Sequence, residues 1–182
     1  MNKSKHFVNR GYHKHNDKSD FRTPTFLFKY IEDKFGKIDY DGACIDGLNN
    51  LASPLRLEDE WPIGSTVYSN PPFDSESIEK WFDKGELHAK NGGVHIMCLP
   101  EKICQVFFNR MIKRFNEIIF LGGRINFISP YSVKGGTSMN GTIITRQGGY
   151  SKYHDTPLIS GVLIRDLKSK YSKIIINKLR EG

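Results

Sequence analysis

The chain lacks any stretch near the roughly 18 uninterrupted apolar residues that a membrane-spanning helix needs, and its first twenty residues, Met1 to Asp20, hold no apolar signal core. Neither a membrane protein nor an exported one is expected. Cysteine is scarce too: Cys44, Cys98 and Cys104 are odd in number and scattered beside apolar segments. That pattern excludes a disulfide framework and a zinc site, and it suits a reducing cytoplasm, bacterial or that of a phage-infected host. No internal repeat is visible at a fixed period, which excludes solenoids and propellers.

What is present suffices for one globule. The 182 residues are 38% hydrophobic and 12% aromatic, enough for a packed core despite a mean hydropathy of -0.47. Lys and Arg number 27 against 20 Asp and Glu, a net charge of +7, which suits a polyanionic partner through phosphate contacts. Residues 1–19 carry Lys3, Lys5, Arg10, Lys14 and Lys18 without apolar periodicity and read as a mobile basic arm, and residues 20–182 read as a single domain. His13 and His15 have no third ligand nearby, so no metal is expected.

Thr23-Pro24 predicts a helix start, with Thr23 as cap, running to about Phe35 and stopped by Gly36. Lys37 to Cys44 reads as a strand and 45–64 as irregular. Ser65 to Ser69 is a compact strand that runs into Asn70-Pro71-Pro72-Phe73, and two prolines in succession cannot continue a ladder. A helix opened by Ser75 and closed by Asn91-Gly92-Gly93 follows, then a buried strand Val94 to Leu99, a helix through Ile103 to Ile112, and a strand Glu117 to Leu121. Further strands are expected at Gly141 to Arg146 and Gly161 to Arg165. Leu167 to Leu179 has near-helical spacing but holds the strand-like run Ile174-Ile175-Ile176. This alternation implies an α/β fold, a mainly parallel sheet with helices on both faces.

In such sheets ligands bind beyond the carboxyl ends of strands, where Asn70 falls. An exocyclic amine is a poor nucleophile because its lone pair is delocalised into the ring. The Asn70 side-chain oxygen and the Pro71 carbonyl are acceptors for its two protons, which localises the lone pair without a strong base. Pro71 and Pro72 hold the loop rigid, and Phe73 offers a flat face for a base taken out of its stack. The pattern points to methyl transfer onto a planar –NH2, whether in DNA, in RNA or in a glutamine amide.

Several further segments stand in order around this loop: Asp20-Phe21-Arg22-Thr23-Pro24, then Asp41-Gly42-Ala43, then Trp61, and later Gly123-Arg124-Ile125-x-Phe127. With them the chain resembles the phage-type, Dam-like DNA N6-adenine methyltransferase family from about residue 20 to about 145. The resemblance implies a Rossmann-like methyltransferase fold, S-adenosylmethionine as cofactor, and duplex DNA with a flipped-out adenine as substrate. It implies catalytic Asn70, Pro71, Pro72 and Phe73. Thr23 and Pro24 would hold the amino-acid end of the cofactor, with Asp41, Gly42 and Ala43 against the same ligand. Arg124, Lys134 and Arg146 are candidate nucleic-acid contacts, the last two in a stretch, Ser132 to Thr156, that mixes basic and aromatic side chains.

The chain departs from general methyltransferases after the first strand. No acidic-x-Gly-x-Gly turn follows; the segment reads Asp41-Gly42-Ala43-Cys44-Ile45-Asp46-Gly47. Only positions 42 to 69 separate Asp41 from Asn70, so the usual second and third strands are expected to be short or missing, with Glu58 or Asp59 as the candidate ribose-binding carboxylate. Oligomeric state is not legible in the sequence.

Overall fold

Strand β4, Val94–Pro100, is buried at every residue after the first, as a strand must be that is covered on both faces. Around it a computed structural model describes residues 22–43, 52–72, 75–101, 106, 109, 112–128, 136–137, 140–149 and 157–171. The other strands are β1 (Tyr40–Asp41), β2 (Ser53–Pro54), β3 (Thr66–Ser69), β5 (Glu117–Gly122), β6 (Asn126–Phe127), β7 (Gly136–Thr137), β8 (Thr142–Gly148) and β9 (Leu158–Leu163). Seven form one sheet in the order β2-β1-β3-β4-β8-β5-β9, and β6 pairs with β7 apart from it. β8 runs antiparallel to both its neighbours, the other pairings of the seven-stranded sheet are parallel, and β6 and β7 pair antiparallel. Six strands therefore end at one edge of the sheet, and this edge carries Asp41, Ser69, Pro100, Gly122 and Leu163.

Alternation along the strands sorts the core into two layers. On one face Tyr68, Ile96, Cys98, Ile119 and Ile144 meet Leu27, Phe28 and Ile31 of helix α1 (Thr25–Phe35) and Leu167 and Tyr171 of a helix over 164–171. On the other, Val67, Met97, Leu99, Ile118 and Ile143 meet Ile78, Trp81 and Phe82 of helix α2 (Ser75–Lys90). Each large apolar side chain buried in this way stabilises by about 1.5–3 kcal/mol. The two helices of the first layer are joined at Asp33, whose Oδ2 accepts from Lys170 Nζ at 2.8 Å and from the Tyr171 hydroxyl at 2.6 Å. On the other face Arg114 bonds three α2 carboxylates, Glu79, Asp83 and Glu86.

Gly36 ends α1 with φ 93, a left-handed value that favours glycine, and its N–H reaches Glu32 O at 2.9 Å. The start of α1 differs from the sequence expectation. Pro24 is the capping residue and no side chain caps the helix; the Thr23 hydroxyl is turned inward to another partner. The segment expected to be irregular contains β2, which pairs in register with β1 through Tyr40 and Ser53. Its only two residues, Ser and Pro, are both exposed, so no hydrophobic pattern marked it.

Strand β9 runs Leu158–Leu163, earlier than expected, and Ile164 already opens the helix over 164–171. Residues 106, 109 and 112 are helical, where a helix was expected. The basic arm at 1–19 and the run Ile174 to Ile176 lie outside the described residues. Among the described residues no helix is long and apolar enough to cross a membrane.

Candidate active site

β3 leads straight from the interior to the loop. Its ladder with β4 ends at Ser69 opposite Met97, because Pro71 and Pro72 have no N–H to extend it. Asn70 is half-buried, Pro71 buried and Pro72 exposed, so the loop rises from the floor of the sheet edge into solvent. Phe73 lies outside the described residues.

Behind Asn70, on the α1 face, the hydroxyls of Thr23 and Tyr68 lie 2.6 Å apart with both residues buried. Phe28 packs edge-on against the Tyr68 ring at 5.6 Å. Burial pushes the Tyr68 phenol well above its ordinary pKa, with Cys98 and Asp41 raising it further, so it stays protonated. Asp41 is only 2% exposed. Its Oδ1 accepts the Ala43 N–H at 3.2 Å, and Gly42 N–H reaches Tyr68 O at 2.7 Å. The structure thus brings Asp41, Gly42 and Ala43, at the end of β1, beside the strand that leads to Asn70 and Pro71, with Thr23 and Pro24 at the start of α1 joined to it through Tyr68.

On the opposite face Ser69 starts a second polar chain. Its hydroxyl lies 3.0 Å from His95 Nε2, and His95 Nδ1 lies 3.2 Å from Gln147 Oε1. The Gln147 amide nitrogen donates to Phe82 O and Arg114 O, so Oε1 is the acceptor, Nδ1 carries the proton, and Nε2 accepts from Ser69. Burial pushes the His95 pKa down to about 3, against the opposing effect of the Gln147 bond, so the ring is neutral at physiological pH. Trp61 packs edge-on against it at 4.8 Å and Trp81 stacks at 6.4 Å. The space is tight: on α2, any side chain at Gly85 would overlap His95 and Gln147.

Gly42 serves this packing. A Cβ there would stand 2.8 Å from Ser69 Oγ and 3.0 Å from Val67 Cγ1, so its missing side chain lets β1 lie against β3. Glu58 and Asp59, by contrast, are exposed in the bend after β2, and Asp59 Oδ2 accepts the Arg56 N–H at 2.7 Å.

The two outer segments of the sequence pattern meet directly. Arg22 and Ile128 exchange backbone hydrogen bonds of 2.8 and 3.0 Å, tying Thr23-Pro24 to the segment that follows Gly123-Arg124. Arg124 is exposed at the carboxyl end of β5. Lys134 lies outside the described residues. Arg146 does not join the group: it pairs across β8 with Glu117 at the start of β5, the opposite edge of the sheet. There it is buried, with Nη2 3.1 Å from Glu117 Oε2, and as placed it presents no guanidinium face to nucleic acid.

Sequence reasoning missed Tyr68, Ser69, His95 and Gln147 as partners of the loop. Only His95 carried a signal, a polar side chain inside the otherwise apolar strand β4, since buried polar groups need partners. Among the described residues no group of three His, Cys, Asp or Glu side chains is placed to hold a metal ion.

Residues 11–144 match the family described as DNA N-6-adenine-methyltransferase (Dam). No curated protein sequence matches the chain. Among solved structures, a Listeria monocytogenes protein assigned to the class I S-adenosylmethionine-dependent methyltransferases superposes with a TM-score of 0.51 at 11% identity, over 91% of this chain and 72% of that one. The likeness extends to the fold, which is Rossmann-like. A Pyrococcus horikoshii protein assigned as an RNA methyltransferase gives a TM-score of 0.33 at 16% identity, over 69% of this chain and 57% of that one, too slight to bear on function.

Proposed function

Because the chain belongs to the DNA N-6-adenine-methyltransferase family, and is thereby a methyltransferase, we propose that it transfers a methyl group from S-adenosylmethionine to N6 of adenine in DNA. The observation that carries this reading is the placement of Asn70-Pro71 at the sheet edge beside the buried Thr23, Tyr68 and Asp41. A carboxylate, two hydroxyls and strand-end backbone groups have the chemistry that an ammonium and a carboxylate require. Thr23, Pro24, Asp41, Gly42 and Ala43 would therefore hold the amino-acid end of the cofactor, and the residues present fit that group. When bound, the cofactor supplies an electrophilic methyl on a sulfonium.

The chain's own residues would prepare the amine. Asn70 Oδ1 and the Pro71 carbonyl accept the two amino protons, localising the nitrogen lone pair toward the methyl. Transfer of that methyl would leave a surplus proton on nitrogen, which the chain's acceptors would hold until it passes to water without a dedicated strong base. The base must leave the duplex stack to reach this edge, and Phe73 would stack on it there. Ser69, fixed by neutral His95, anchors the root of the loop so that Asn70 need not be ordered at the moment of reaction.

The test is transfer of tritiated methyl to unmethylated duplex DNA, RNA and protein fractions in parallel. DNA is expected to accept label and Asn70→Ala to abolish transfer with the fold retained. Label confined to RNA or protein would overturn the substrate reading, and full activity of Asn70→Ala would overturn the mechanism.

A further inference from the structure

At the far side of the same sheet edge lies a cavity of about 390 Å³ that neither Asn70 nor the cofactor residues line. One wall is Gly122-Gly123-Arg124, where β5 ends. The other is the segment from Leu163, the end of β9, into the helix over 164–171, with Arg165 and Lys168 on the cavity. We propose that this cavity seats a backbone phosphate of the DNA on which the enzyme acts, which rests on the reading of DNA as substrate.

Three cations from two separate segments converge here, and all three side chains belong to exposed residues. Among the described residues neither Arg124 nor Lys168 is within ion-pair distance of a carboxylate. Arg165 has only its sequence neighbour Asp166, at 3.5 Å, with the two side chains 82% and 65% exposed, and so open a pair contributes little. Lys168 Nζ rests 5.6 Å from the Phe26 ring of α1, which steadies the long side chain. Gly123, with φ 118, takes a left-handed conformation that favours glycine where the chain leaves β5 for Arg124 on the cavity wall. Repulsion among these positive charges is relieved by an anion between them, and an Arg fork matches phosphate oxygens.

Position favours a phosphodiester of the same substrate. β5 stands three strands from β3, a lateral distance of about 14 Å at the usual strand spacing of about 4.8 Å. At about 3.4 Å of duplex axis per nucleotide, that is about four base pairs from the flipped adenine. A contact there would fix the register of the duplex on the sheet edge and carry no base specificity.

The test is fluorescence anisotropy of a labelled DNA duplex over a range of salt with the full chain, comparing wild type, Arg124→Gln, Lys168→Gln and the double variant Arg165→Gln, Lys168→Gln. Each variant is checked for its melting temperature and, by calorimetry, for S-adenosylmethionine binding. The expected result is a several-fold loss of affinity at low salt, equal on unrelated duplexes, and a slope of log K against log salt smaller by about 0.9 in the double variant. Wild-type slope and affinity in all the variants would overturn the phosphate site and leave the DNA reading standing. Wild type that binds the cofactor but no duplex would overturn the DNA reading, and this proposal with it.

Discussion

The hydroxyl of Thr23, just ahead of α1, sits 2.6 Å from the hydroxyl of Tyr68 in the middle of β3, although 45 residues separate them in the chain. This buried bond joins the segment before the first helix to the strand that delivers Asn70. Tyr68→Phe would leave the Thr23 hydroxyl without its partner, and an orphaned buried hydroxyl costs about 1–3 kcal/mol. In a domain of this size that lowers the melting temperature by about 2–4 °C per kcal/mol. If Thr23 holds the cofactor as proposed, affinity for S-adenosylmethionine should fall in parallel. The double variant Thr23→Val, Tyr68→Phe removes both hydroxyls together and should recover stability relative to Tyr68→Phe, which thermal melts of the three proteins would show.

His95 makes stability depend on pH in a definite sense. Its folded pKa is about 3 against an ordinary 6.5, so between those values the unfolded chain binds a proton that the folded chain does not. The contribution is fully present above 6.5 and is lost as pH falls toward 3, at up to about 1.4 kcal/mol per pH unit. Burial lowers the His88 pKa as well, which adds loss in the same direction. Urea midpoints from pH 7.5 to 5 should fall in wild type and fall less steeply in His95→Gln. In that variant kcat should drop more than affinity for either substrate, because Ser69 loses its fixed acceptor.

How much of this was legible in the sequence follows from the physics of each element. β4 announced itself as an apolar run broken only by His95, and the Asn-Pro-Pro loop as a strand that two prolines forbid to continue. β2 was invisible, since an exposed Ser-Pro pair at a sheet edge carries no pattern and exists only because β1 offers free backbone partners. Asn70, Asp41 and Thr23 were singled out as candidates, but the partners that place them in the fold were not. The Thr23–Tyr68 and Ser69–His95 contacts span 45 and 26 positions, and no local periodicity encodes them. The surroundings of Arg146 were hidden in the same way: it was singled out for lying in a stretch with basic and aromatic side chains, while its neighbour in space is Glu117, 29 positions away.

Gly42 gives a prediction of steric origin. Gly42→Ala places a methyl 2.8 Å from Ser69 Oγ and 3.0 Å from Val67 Cγ1, and overpacking of this kind costs about 1–3 kcal/mol. The strain falls on the residue before Asn70, so activity should fall with stability. Ser69→Ala in the same chain removes the closer clash, and a double-mutant cycle on unfolding free energies should give a coupling energy of about 0.5–3 kcal/mol in the sense of recovery. Strict additivity would show that β1 and β3 do not meet at Gly42 as described.

Arg146 and Arg124 should separate cleanly in experiment. Arg146 lies in an ion pair with Glu117, the two side chains 8% and 3% exposed, and stacks its guanidinium 5.4 Å over Phe35. Arg146→Ala strands a buried carboxylate, a change that costs about 3–5 kcal/mol in general. Lys34 Nζ, 2.8 Å from Glu117 Oε1, remains to offset part of it, so a loss of about 3 kcal/mol is expected. Where the variant is folded, its DNA affinity and salt slope should equal wild type, because Arg146 stands at the edge of the sheet opposite Asn70. Arg124→Gln should show the reverse, unchanged melting and a shallower salt slope. A weakened salt dependence in Arg146→Ala at full stability would mean that nucleic acid reaches the amino ends of the strands, and that the sheet edge bearing Asn70 is not the whole of the interface.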